Sequence, residues 1–138
     1  MQAAPLLLLV ATASTAPSWA GEAFGIWKWK GVTLRMQPHT QGEVFTLDTV
    51  SADGRASTSS MILYFDGKAR QFQDASCQGT QSSRRVDDRT IEILRECGNG
   101  DSTRLIRRLG AQPGKLILEI TEQRQDRRSE RRLVLEKQ

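Results

Sequence analysis

The side chains able to do chemistry in this 138-residue chain are few and scattered. His39 is the single histidine, so a triad has one available base and a metal site at most one imidazole. It stands in Gln37-Pro38-His39-Thr40-Gln41-Gly42, which reads as an exposed loop. Asp87 and Asp88 are adjacent carboxylates, but they fall between two strand patterns, where Asp is first of all a turn former. Asp53, Asp66 and Asp126 occupy turn contexts as well. Neither a Gly-x-Ser-x-Gly nucleophile elbow nor a phosphate-cradling glycine loop is present. The chain is therefore expected to be a non-enzyme without cofactor or metal.

Cys77 and Cys97 are the remaining reactive pair. Leu6-Leu7-Leu8-Leu9-Val10-Ala11 is a short apolar core followed by small residues, and Ser18-Trp19-Ala20 suits cleavage after Ala20. A transmembrane helix needs roughly 20 apolar residues, so residues 1–20 read as an export signal and not as a membrane span. Residues 21–138 then form a single domain, periplasmic or secreted. Two cysteines in an oxidising compartment pair, and a metal site would want further ligands that are not nearby. The pair lies symmetrically about Asp87, in a predicted hairpin turn, so the bond is expected to clamp adjacent strands. Closing a loop of about 20 residues is worth about 3 kcal/mol in the chain-entropy description.

The elements that must position these residues are strands. From Val44 onward the pattern has period two, with turn signals about every 8–14 residues and no helical stripe. Strands are predicted at Phe24 to Lys30, Glu43 to Val50, Ser57 to Phe65, Ala69 to Gln73, Ser82 to Val86, Thr90 to Cys97, Ser102 to Leu109, Lys115 to Arg124 and Ser129 to Glu136. Asp74 to Gln81 reads as looser chain carrying Cys77. Sequential hairpins without crossovers imply an all-β fold, an up-and-down antiparallel barrel of eight or nine strands that removes its edges by closing.

Register can be predicted by arithmetic. Leu109 opposite Leu116 places Arg107 against Leu118, Leu105 against Ile120 and Thr103 against Glu122. A turn around Asp126-Arg127 then sets Leu118 against Leu135, Ile120 against Leu133 and Glu122 against Arg131. At Asn99-Gly100 two registers stay open. A two-residue turn pairs Leu94 with Leu105, whereas a longer loop brings Ile91 and Ile93 inside with Leu105 and Leu109.

The net charge of +4 comes from the second half: six basic and six acidic residues lie between Glu22 and Ser83, fourteen basic and ten acidic from Arg84 onward. These charges alternate with apolar residues, which reads as a solvated outer face. Nucleic acid is not expected, because stacking aromatics are scarce there.

Gly25-Ile26-Trp27-Lys28 near the expected mature start resembles the Gly-x-Trp opening of lipocalin-like proteins. The chain is similar to small exported bacterial lipocalin-like proteins of unassigned function, with counterparts at Phe65-Asp66-Gly67-Lys68, Gly114-Lys115-Leu116 and Glu136-Lys137. Trp29 departs from that pattern, as does the missing Asn-Pro segment after it. The resemblance implies a calycin-type barrel and no known reaction. It also implies that Gly25 and Trp27 form the barrel base under an arginine of the last strand, Arg131 or Arg132.

Two functions remain as expectations. The first is an interior site for a small apolar or amphipathic ligand, lined by Trp29, Phe45 and Leu63, with Arg95 and Arg107 available to hold a carboxylate. The second is an interaction module with a filled interior, meeting a protein partner through rim loops near His39 or Gly110 to Gly114.

Overall fold

The computed structural model describes residues 19–74 and 77–138. The expected signal peptide lies outside the described residues, apart from Trp19 and Ala20, which open a short helix, α1 (Trp19–Ala23). Ten strands follow: β1 (Gly25–Trp29), β2 (Val32–His39), β3 (Gly42–Val50), β4 (Ala56–Leu63), β5 (Arg70–Gln73), β6 (Gln78–Asp87), β7 (Thr90–Cys97), β8 (Ser102–Leu109), β9 (Lys115–Arg124) and β10 (Arg127–Lys137).

All ten join in one sheet in the order β4-β3-β2-β1-β10-β9-β8-β7-β6-β5, with every neighbouring pair antiparallel. The all-β meander is as expected. Two corrections apply: there are ten strands and not eight or nine, and the sheet curls into a half-barrel whose edges, β4 and β5, are not laddered together. The segment that connects them, residues 64–69, is held against β6. There the Phe65 N–H donates to Ser83 Oγ at 3.0 Å, the Gly67 N–H donates to the Ser83 carbonyl at 2.8 Å, and Asp66 bridges to Arg84.

The additional strand is β2, which removes His39 from the loop assigned to it. Val32, Leu34 and Met36 alternate with Thr33, Arg35 and Gln37, and Leu34 and Met36 are buried. His39 ends that strand half-buried, its Nδ1 accepting the Gln41 N–H at 3.1 Å. The looser stretch before Ser82 is likewise strand from Gln78.

The β8–β9 register is the predicted one at all four pairs. At Gly98–Gly100 the longer loop is adopted: Ile93 faces Leu105, Ile91 faces Arg107, and both isoleucines are buried while Leu94 turns outward. The last hairpin differs. Its turn is Gln125-Asp126, with Gln125 at φ 53, so Leu118 faces Leu133, Leu116 faces Leu135 and Ile120 faces Arg131. The slip is two residues, and the side-chain period of a strand is two, so the same residues still point inward.

Burial falls along the strands. Near α1 the inner face holds Trp27, Leu34, Met36, Phe45, Leu63, Ile91, Leu116, Leu118 and Leu135, all sealed from solvent. Toward the opposite end the inner face passes through half-buried Val32, Leu47, Met61 and Leu105. Beyond them come Trp29, 38% exposed, and exposed Arg131. We call the sealed end the base and the other the mouth.

Candidate functional site

The base is built around Trp27. Its indole N–H donates to the Ala23 carbonyl at 2.8 Å, which ties the ring to α1. Lys137 stands opposite Trp27 in the β1–β10 ladder and holds its ammonium 5.5 Å from the ring centroid. That ammonium also donates to the Glu22 carbonyl at 3.1 Å. The lysine stem needs the space above Gly25, where a Cβ would stand 3.1 Å from Lys137 Cε. A glycine two residues before the tryptophan thus lets the cation reach the ring. The cation at Trp27 is this lysine. Arg131 sits instead by the Glu122 carboxylate, at 3.8 Å, and Arg132 is exposed. A hollow of about 440 Å³ lies outside this plug, between Glu22, Arg89 and the loop at Ala111, Pro113 and Gly114.

One layer in, Arg107 of β8 and Glu43 of β3 form a sealed ion pair, each side chain 1% exposed. Both terminal guanidinium nitrogens donate to the Glu43 carboxylate, Nη2 at 2.9 Å and Nη1 closer still, and Nη1 also reaches the Met36 sulfur. The guanidinium carbon is 5.8 Å from the Phe45 ring centroid. A buried charge needs this completeness, because either partner alone would keep its desolvation penalty. Three of the five expected ligand residues, Phe45, Leu63 and Arg107, are therefore parts of this sealed layer.

The other two stand at the mouth. Trp29 is on the inner face beyond Trp27, with the Lys30 ammonium 5.5 Å from its ring. Arg95 lies over Phe72 at 4.1 Å, donates to Asp74 at 2.9 Å and to Gln81 at 3.0 Å. Burial pushes the Arg95 guanidinium down from its ordinary value, while the charge and hydrogen bond of Asp74 oppose that shift, so it remains a cation.

Beside Arg95 and Phe72 lies a hollow. A cleft of about 800 Å³ is lined by residues 71–73, 77–80 and 97–99, on β5, the start of β6 and the β7–β8 turn. The Cys77–Cys97 disulfide forms one wall, as expected, with Cα atoms 5.3 Å apart. Register refines how it clamps: Gly79 and not Cys77 stands opposite Cys97, so the bond runs diagonally from the start of β6 to the end of β7. The shift follows from a β6–β7 turn at Asp88-Arg89 and a bulge between Arg85 and Asp87. Gly79 is obligatory here, because a Cβ would lie 1.8 Å from the Glu96 carbonyl oxygen. The disulfide and the missing side chain together hold β6 and β7 close.

Sequence reasoning found the disulfide but not the cleft. Its floor comes from residues 77–80, taken as loose chain, and its side from β5, whose glutamines carry no strong signal by type. Among the described residues no group of three or more His, Cys, Asp or Glu side chains could hold a metal ion. No described helix is long and apolar enough to cross a membrane. No protein-family model matches the chain, and comparison with curated proteins finds no match.

Proposed function

We propose that this chain is an exported, disulfide-clamped binding module, periplasmic or secreted, that takes its partner at the rim cleft beside Cys77–Cys97. The observation that carries this reading is where space lies. The layer expected to line an interior site is filled by the Glu43–Arg107 pair, Phe45 and Leu63, whereas the cleft offers about 800 Å³ at the surface. That volume is in the range of binding sites for small molecules and short peptide segments. Binding without chemistry fits the scarcity of nucleophiles and bases. The rim loops near His39 and Gly110 to Gly114 lie at the base, so the partner-facing rim is the opposite one. Lipocalin-like ancestry is supported by the Gly25-x-Trp27 plug under a basic residue of the last strand.

One observation favours a second reading, a small amphipathic molecule seated in the mouth itself. Trp29 is 38% exposed on the inner face, above half-buried Leu47, Met61 and Leu105, with the Arg95–Asp74 pair beyond them. Amide chemical-shift mapping separates the two. Titration with neutral peptides, neutral sugars and medium-chain fatty acids is expected to move residues 71–73, 77–80 and 97–99. Shifts confined to Trp29, Leu47 and Met61, with Trp29 fluorescence quenched by fatty acid, would replace the rim with the mouth.

A further inference from the structure

The chemistry of a partner can be read from the cleft, and the inference rests on the rim reading. β5 is an edge strand. In its ladder Gln73 stands opposite Gln78, whose carbonyl accepts the Gly98 N–H from the other side of β6. Antiparallel pairs alternate between hydrogen-bonded and non-hydrogen-bonded, so Gln73, and Gln71 two residues before it, aim their main-chain N–H and C=O groups out of the sheet. Among the described residues neither glutamine makes a hydrogen bond through those groups or through its carboxamide.

The cleft beside them is neutral. None of the ten described residues that line it is charged, in a chain where 26% of residues are, so two or three would be expected. The nearest cations are already engaged: Arg70 donates to Asp66 at 2.9 and 2.7 Å, and Arg95 is held by Asp74. Amides replace the charges. Gln71, Gln73, Gln78 and Asn99 are four of the twelve carboxamide side chains in the whole sequence, gathered at one site. Each offers two donors and an acceptor, which matches groups without formal charge.

We propose that the cleft receives an extended, uncharged peptide segment that adds to β5 as a further strand. Its backbone pairs with the outward main-chain groups of Gln71 and Gln73, and the carboxamides satisfy its side chains or flanking peptide groups. A neutral sugar would use the carboxamides as well, but it leaves the row of main-chain donors and acceptors unanswered. The peptide answers both.

The test uses the disulfide-bonded chain and three probes. The first is an acetylated, amidated heptapeptide of alternating threonine and valine at millimolar concentration. The second is the same peptide N-methylated on one or the other alternate set of backbone nitrogens, and the third is maltotriose. The expected result is slowed amide hydrogen exchange at Gln71 and Gln73 with the first peptide. One of the two N-methylated forms should bind about tenfold more weakly, the effect of losing a net hydrogen bond or so. If maltotriose moves the cleft residues while the peptide leaves Gln71 and Gln73 exchange unchanged, the strand-addition inference is overturned and the rim reading stands. If no probe moves residues 71–73, 77–80 or 97–99, both are overturned.

Discussion

Arg107 and Arg95 invite comparison, because the chain gives them the same equipment and puts them at opposite ends of the half-barrel. Each lies near a phenylalanine ring and each is bound to a carboxylate. Arg107, at the base, is closed off with Glu43 at 1% exposure, whereas the Arg95 and Asp74 side chains keep 19% and 35% of their surfaces in solvent. The lesson is that position along the strands, more than residue type, separates a sealed ion pair from a solvent-facing one here. A cation sealed with its counter-ion offers no surface that a ligand can reach. One at the mouth fixes the wall of a site and still meets water.

The largest effect that would break this contrast is loss of one buried partner. Arg107→Leu removes the donor that meets the buried Glu43 carboxylate, and a destabilisation of about 3–5 kcal/mol is expected in urea unfolding. The double variant Glu43→Leu with Arg107→Leu removes both charges and should recover most of that loss. Arg95→Leu, made at the mouth, should cost about 1 kcal/mol, because Asp74 can turn to water. Equal losses from the two single variants would erase the distinction between base and mouth.

The second effect is confined to the mouth. Cys77→Ser with Cys97→Ser removes a clamp on a 20-residue loop and should lower stability by about 3 kcal/mol. Its local signature sharpens the comparison: hydrogen exchange should quicken along β5, β6 and the end of β7, while Trp27 and its Ala23 hydrogen bond stay protected. A loss of protection spread evenly to the base would mean that the two ends are one cooperative unit.

What the sequence disclosed follows the same division. The β8–β9 register was legible because Leu105, Leu109, Leu116, Leu118 and Ile120 specify it through burial on one face. The final hairpin was misplaced by two residues because a turn at Gln125-Asp126 and one at Asp126-Arg127 conserve the same inward set, so hydrophobicity cannot choose between them. β2 was missed although Val32, Leu34 and Met36 alternate cleanly, since Pro38 and the polar residues after it gave the segment a loop-like composition. Glu43 gave no warning of its role, because its partner is 64 residues away and a lone glutamate in a strand reads as solvent-facing. The cleft was illegible for a different reason. It is made of neutral side chains and free backbone groups, and backbone valence belongs to topology.

The smallest predicted effect is on acid stability, and it concerns the outer face of the sheet between its two ends. Glu92 of β7 stands between Arg84 of β6 and Arg104 of β8, at 2.8 and 2.6 Å. Burial works to raise its carboxyl pKa, but the hydrogen bonds and charges of the two arginines outweigh it, and the group sits below the usual carboxylate range. Asp66 is also held low, chiefly by its hydrogen bonds from Arg70, and Asp48 by those from Thr58 and Arg35. A carboxylate whose folded pKa is depressed contributes stability that is fully present above its unfolded value and is lost as pH falls through the folded one. The urea midpoint should therefore stay flat from neutral pH down to about 5 and decline below about 4.5, where unfolded carboxylates take up protons. Glu92→Gln should flatten part of that decline, because the neutral amide has no proton to gain, while lowering stability at pH 7. An acid branch unchanged in Glu92→Gln would remove Glu92 from the account and leave the exposed aspartates to explain the loss.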